Sequence, residues 1–246
     1  MTFAVALRTA AGLVALADTR VVRGEQHATK GKLSTIEHGG GSAFVMTSGL
    51  RSVRDKTMLQ LDDELAGAGE PCVRMHELAT RYGTQLRRVR ADDGDALEQA
   101  GLTFNMHTIL GGQLSGDRHP ELFYVYPEGN WITATSDVPY FVIGRTAYGK
   151  PILDRLADFD MPLASVIGLA YLAFDATRAS VVDVDFPFDL LTFADGVCRQ
   201  RRYDAADLAD AHAFWQARLS AALAELPVGW ALPILPPDPH HLGAPS

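Results

Sequence analysis

The chain has 246 residues, 47% apolar and 21% charged, an ordinary globular balance with room for one large domain or two small ones. Its formal net charge of −8 disfavours nucleic acid and anionic membrane as partners, because phosphate binding needs clustered Lys and Arg. Two cysteines, Cys72 and Cys198, have neither metal-ligand spacing nor the density of a disulfide framework, so a reduced, cytoplasmic setting is expected.

In chain order, Phe3, Val5 and Leu7 alternate with Thr2, Ala4, Ala6 and Arg8, which predicts a strand. A turn over Thr9 to Gly12 leads into Leu13 to Ala17, a second strand apolar on both faces. This opening stretch ends in Ala15-Leu16-Ala17 and mimics a signal-peptidase site, but it lacks a basic leading region and Arg8 interrupts it. Lys32 to Ile36 and Ala43 to Thr47 predict a strand pair, with Gly39-Gly40-Gly41 supplying positive φ at the turn. Helices are expected from Ser48 to about Leu65 and from about Val73 to Arg90. The basic runs Arg87-Arg88-Val89-Arg90 and Arg199-Gln200-Arg201-Arg202 are flanked by Asp and read as solvated faces.

Strands follow at Thr103 to Leu110, Leu122 to Tyr126, Trp131 to Thr133 and Tyr140 to Ile143. The helical period returns over Ala147 to Leu156 and Leu163 to Arg178, where Leu163, Val166, Ile167, Ala170 and Phe174 share one face. A strand at Asp185 to Phe193 precedes a last amphipathic helix marked by Leu208, His212, Trp215, Leu219 and Leu226. No apolar run approaches the roughly 18 residues of a membrane span. Residues 1–232 read as a single domain and 233–246 as a Pro/His-rich tail, whose His240-His241 pair is not taken as a metal site. Sheets apolar on both faces must be covered on both sides, so the expected fold is α+β, with two antiparallel sheets stacked between two helical layers.

The hairpins also predict where chemistry gathers. A first turn centred between Ala10 and Ala11 puts Thr2 opposite Thr19, which brings Asp18 and Arg20 to the start of the chain. A second turn near Gly40 puts Lys32 opposite about Thr47, next to Ser48 and Gly49; Lys30 would replace Lys32 under a shifted register. A lysine ammonium near the Thr2 hydroxyl favours its alkoxide, and Asp18 would hold that ammonium charged. The backbone N–H of Gly49, expected at a helix N-terminus, is a candidate oxyanion donor, of a kind worth about 2.7–4 kcal/mol in a transition state. There is no Gly-x-Ser-x-Gly elbow and no partnered histidine spacing. The base would then be the α-amino group of Thr2, freed by removal of Met1, because such an amine has a reference pKa of about 7.7–8.

Taken together, Thr2-Phe3-Ala4-Val5-Ala6, Gly12-Leu13-Val14-Ala15-Leu16-Ala17-Asp18-Thr19-Arg20, Lys32-Leu33 and Ser48-Gly49 resemble the proteasome β-subunit and its bacterial relative HslV. Ile143-Gly144-Arg145-Thr146-Ala147-Tyr148-Gly149-Lys150-Pro151-Ile152-Leu153-Asp154 is similar to Anbu, the bacterial ancestral β-subunit branch. So are Ala173-Phe174-Asp175-Ala176-Thr177-Arg178 and Pro187-Phe188-Asp189-Leu190-Leu191, and the likeness spans about residues 2–193.

The resemblance implies a four-layer αββα sandwich of the N-terminal-nucleophile (Ntn) hydrolase type. It implies Thr2 as nucleophile, its amine as base, Asp18 and Lys32 as charge-tuning pair, Arg20 bracing Asp18, Gly49 as oxyanion donor and Asp175 as a carboxylate near the amine. Two positions depart from the pattern. Gly144-Arg145-Thr146 stands where proteasomes carry Gly-Ser-Gly, and Arg178 stands where they carry Ser; Thr146, Thr177 or Ser180 are the candidate substitutes. The expected activity is a threonine peptidase acting on polypeptides or peptides. The rivals are an inactive assembly subunit of the same fold and an amidohydrolase for a small amide. No metal or organic cofactor is implied. A homo-oligomer is expected, as a ring or an open helical assembly, with any unfoldase partner unidentified.

Overall fold

The computed structural model describes residues 2–23, 26–29, 31–67 and 69–234. Met1, Lys30, the His240-His241 pair and most of the 233–246 tail, all named above, lie outside the described residues.

Strands β1 (Phe3–Thr9) and β2 (Gly12–Asp18) form the first hairpin. Next come a short ribbon of β3 (Arg20–Arg23) with β4 (Gln26–Thr29), then a second hairpin of β5 (Leu33–His38) and β6 (Gly41–Ser48). Helices α1 (Arg51–Ala66) and α2 (Met75–Gln99) precede a meander of β7 (His107–Gln113), β8 (Glu121–Val125), β9 (Trp131–Thr133) and β10 (Tyr140–Gly144). Helices α3 (Lys150–Leu156) and α4 (Leu163–Arg178) lead to β11 (Phe188–Ala194), β12 (Val197–Tyr203) and helix α5 (Ala209–Glu225).

Among the described residues, the strands make two five-stranded antiparallel sheets, ordered β10-β1-β2-β11-β12 and β5-β6-β7-β8-β9, besides the β3-β4 ribbon. They stack face to face as the two inner layers of an αββα sandwich. The packing follows the period of two in each strand. Ala4, Ala6, Ala15 and Ala17 point into the space between the sheets, where Phe44, Met46, Ile109 and Leu122 of the other sheet fill the volume that the small residues leave. Phe3, on the opposite face of β1, meets Phe174 of α4 with ring centroids 6.3 Å apart. Phe174 in turn lies edge-on to Phe188 of β11 at 5.0 Å. Each such ring, taken fully out of water, contributes about 1.5–3 kcal/mol. On the far side, Val53 and Leu61 of α1 and Leu78, Tyr82 and Leu86 of α2 cover Val45, Leu110, Phe123 and Val125.

Several element limits differ from the sequence reading. β6 runs through Ser48, which pairs with His107, so the first helix starts only at Arg51. α2 continues past Arg90 to Gln99, and its Asp92 and Asp93 both bond Lys56 of α1. The strand expected from Thr103 starts at His107, and the one expected from Asp185 starts at Phe188, after Pro187 has removed a backbone donor. The basic run 199–202 is the edge strand β12; its residues are mostly exposed, and Arg202 grips the buried Asp189 with bonds of 2.8 and 2.9 Å. The β3-β4 ribbon was not anticipated.

The chain separates into two compact units between Asp204 and Ala205, ahead of the last helix. The second unit holds a 3-10 turn at Ala205–Leu208, α5, and a 3-10 turn at Gly229–Ile234. No residue of α5 is buried, and large apolar side chains stand open there, including Leu223 at 74% and Trp230 at 77% exposure. No helix among the described residues is long and apolar enough to cross a membrane. Both cysteines are free thiols, and burial pushes each thiol up from its ordinary value.

Candidate active site

The first hairpin delivers Asp18 to the start of the chain. β1 and β2 pair from Thr9↔Gly12 to Ala4↔Ala17, the register expected from the turn. One residue further on the ladder gives way to side-chain contact, and Asp18 Oδ1 accepts the backbone N–H of Phe3 at 2.8 Å. Thr19 is tied elsewhere: its N–H and its hydroxyl both donate to the Pro187 carbonyl, at 2.9 and 2.6 Å.

The second hairpin delivers the cation. β5 and β6 pair from His38↔Gly41 to Leu33↔Met46, so Lys32 stands one step beyond the last pair, level with Thr47. Its Nζ donates to both carboxylate oxygens of Asp18 at 2.8 Å. Asp18 is fully buried and Lys32 is 8% exposed. Burial pushes the Asp18 carboxyl up and the Lys32 ammonium down, and each charge pulls the other back. Removing two charges from water is tolerated only when geometry and further hydrogen bonds are good. Here the carboxylate accepts three N–H bonds, one of them from the amide that follows Thr2.

Thr2 is itself 8% exposed. Its carbonyl accepts the N–H of Arg145 at 2.7 Å, which extends the β1-β10 ladder past Phe3↔Gly144. Gly144 has φ +85°, and a Cβ there would lie 1.8 Å from the Thr2 carbonyl oxygen. Only glycine fits this close approach. Gly49 has φ +150° between the end of β6 and Leu50, the residue that precedes α1, and a Cβ on it would meet the Asn105 carbonyl oxygen at 2.0 Å. It stands two residues ahead of the first helical turn rather than inside it. A cleft of about 780 Å³ opens beside Lys32 between β5 and α1, bordered by Gly31, Thr35, Val45, Arg54 and Met58.

Arg20, expected to brace Asp18, donates to Asp185 Oδ2 at 2.7 Å. Asp175 is 2% exposed and accepts from Arg178 on the same face of α4 at 2.9 Å. Of the hydroxyls that could replace the missing family serines, Thr177 donates to Ala173 O and Ser180 to Ala176 O, both one turn back along the chain. Thr146 is half-buried two residues past the end of β10. One charged group escaped the sequence reading. Asp183 takes the Arg145 guanidinium through bonds of 2.9 to 3.3 Å, and it favours the charged form of Lys32. No spacing signal links two residues 38 apart in the chain.

No family sequence model matches the chain, and no curated protein matches it. Solved structures do. An Anbu (Gly-1) mutant from Hyphomicrobium sp. strain MC1 is 33% identical with a TM-score of 0.83, over 92% of this chain and 98% of that one. Anbu (ancestral beta-subunit) from Yersinia bercovieri is 30% identical with a TM-score of 0.81, over 92% and 98%. A structure described as the helical assembly of the Anbu complex from Pseudomonas aeruginosa is 30% identical with a TM-score of 0.84, over 96% and 98%. Identity at this level over nearly the whole of both chains, on a shared four-layer architecture, makes this protein a member of the Anbu (ancestral β-subunit) family, a branch of the proteasome-type fold.

Proposed function

We propose that the chain is an N-terminal threonine peptidase of proteasome type. Removal of Met1 frees the α-amino group of Thr2. Thr2 Oγ attacks the carbonyl carbon of a peptide bond as its proton moves to that amine. The ammonium passes the proton to the leaving nitrogen, the C–N bond breaks, and an ester on Thr2 remains. Water then hydrolyses the ester by the same route, which regenerates the hydroxyl.

Lys32 stabilises the alkoxide, Asp18 holds Lys32 charged and fixes the chain at Phe3, and the Gly49 N–H receives the oxyanion. Arg20 and Asp175 belong to the supporting charge network, through Asp185 and Arg178. The observation that carries this reading is the buried Asp18–Lys32 pair bonded to the amide next to Thr2. The cleft beside Lys32 has the size of an ordinary ligand site and would take a side chain of a polypeptide substrate. The protein works in the cytoplasm as a homo-oligomer. The relative whose structure is a helical assembly favours an open arrangement over a closed ring.

The test is reaction with a peptide epoxyketone or a β-lactone, followed by mapping of the adduct. Label on Thr2, and loss of peptidase activity to background in Thr2→Ala, are expected; removal of such a nucleophile costs on the order of 10⁶ in rate. Label elsewhere, or undiminished activity of Thr2→Ala, overturns the reading.

A second reading, an assembly subunit with little activity, is favoured by the arginines at positions 145 and 178 and by the open apolar face of α5. Mass spectrometry of protein from its native host separates the two, since a retained Met1 blocks the amine.

A further inference from the structure

Arg145 joins two things at once. Its backbone N–H holds the carbonyl of Thr2 at 2.7 Å. Its guanidinium holds Asp183, with Nε 3.3 and 3.2 Å from the two carboxylate oxygens and a terminal nitrogen 2.9 Å from Oδ2. One residue thus ties a carboxylate to the segment that carries the proposed nucleophile. Arginine is suited to this, because its planar fork fixes the orientation of a carboxylate as well as its position. The Asp183 side chain is only 14% exposed, so its charge is weakly screened. That charge reaches the site, since Asp183 favours the ammonium of Lys32.

Resting on the peptidase reading above, we infer that Asp183 is the positioning residue of the Thr2 α-amino group. The amine N–H donates to the Asp183 carboxylate. This aims the nitrogen lone pair at Thr2 Oγ and stabilises the ammonium that forms when the hydroxyl proton arrives. The arrangement has the logic of an aspartate behind a catalytic imidazole, with the terminal amine in place of the ring. It also accounts for Arg145 where proteasomes carry serine: the position acts through the carboxylate it holds. Arg145 distinguishes Asp183 from Asp175: Asp175 accepts from Arg178 of its own helix, whereas the arginine that holds Asp183 also bonds the Thr2 carbonyl.

The charged groups linked to this end of the chain are Asp18, through Phe3, and its partner Lys32, and Arg145, through the Thr2 carbonyl, and its partner Asp183, with Tyr148 acting on Arg145; Asp175 and Arg178 pair on α4. Asp183→Asn removes a negative charge and leaves the Arg145 guanidinium uncompensated. Both changes disfavour an ammonium.

The test uses the full chain released from an N-terminal ubiquitin fusion by a deubiquitinase, which leaves Thr2 first. The α-amine is tagged by reductive ¹³C-methylation and titrated by NMR, and the rate of β-lactone adduct formation is followed by mass on untagged protein. Asp183→Asn is expected to lower the amine pKa by about 1 unit or more. It should also slow the plateau rate of adduct formation on the order of tenfold, and Asp183→Glu should restore both in part. An amine pKa identical in wild type and Asp183→Asn overturns the inference. Failure of the wild type to form an adduct at Thr2 overturns the peptidase reading instead, so the two failures are separable.

Discussion

Lys32 and Asp18 meet through two bonds of 2.8 Å in a pocket that leaves Asp18 no exposed surface and Lys32 8%. The strand ends that carry them belong to different sheets, so the pair also bridges the two inner layers of the sandwich at the point where the chain begins.

Breaking this pair from one side should cost more than removing both charges. Asp18→Asn leaves an ammonium buried without its counter-charge and is expected to lower the unfolding free energy by about 3–5 kcal/mol. Adding Lys32→Met should recover a substantial part of that stability without restoring reactivity at Thr2. Urea unfolding of the single and double variants checks this, and additive losses would contradict it.

Burial lowers the Lys32 pKa from its ordinary 10.5. As pH rises through that lowered value the ammonium is lost, and the Thr2 hydroxyl loses its stabilising charge. The rate of β-lactone labelling should therefore show an alkaline limb below pH 10.5. Lys32→Arg, which stays charged throughout, should remove the limb even if the plateau is low. A wild-type profile that is flat to pH 10.5 would refute the role given to Lys32.

Gly144→Ala is expected to disturb Thr2 directly. The new Cβ would fall 1.8 Å from the Thr2 carbonyl oxygen at a backbone φ of +85°. A strained non-glycine residue costs about 1–3 kcal/mol on its own, and the displaced strand end adds to that. Thermal unfolding should show the loss, and Thr2 labelling should fall with it. Gly69→Ala, where a Cβ meets nothing within 4 Å, is the neutral control.

The open apolar side chains of α5 and the turn after it suit contact with a second copy. Leu223→Asp together with Trp230→Ser should lower the mean particle mass in analytical ultracentrifugation and leave the circular dichroism spectrum unchanged. An unaltered mass distribution would exclude this face from assembly.

The sequence by itself determined both hairpin registers, and with them the strand ends at which Asp18 and Lys32 stand; that the two ends meet was decided by the stacking of the two sheets. Such registers are local: a period of two, a turn centred at Ala10-Ala11 or near Gly40, and a short count back along each strand. The presence of the outer-layer helices was legible too, because apolar positions repeat within a few residues, but the start of α1 and the end of α2 were not. Tertiary structure alone decided the partners of the charged groups. Arg20 reaches Asp185 across 165 residues and Arg145 reaches Asp183 across 38, and no spacing in the chain marks either pair. It also decided that a polar, Arg-rich run becomes the edge strand β12. An edge strand needs no continuous apolar face when its pairing is supplied by β11, the buried Asp189 is met by Arg202, and Cys198 packs on the core and Tyr203 on Phe188.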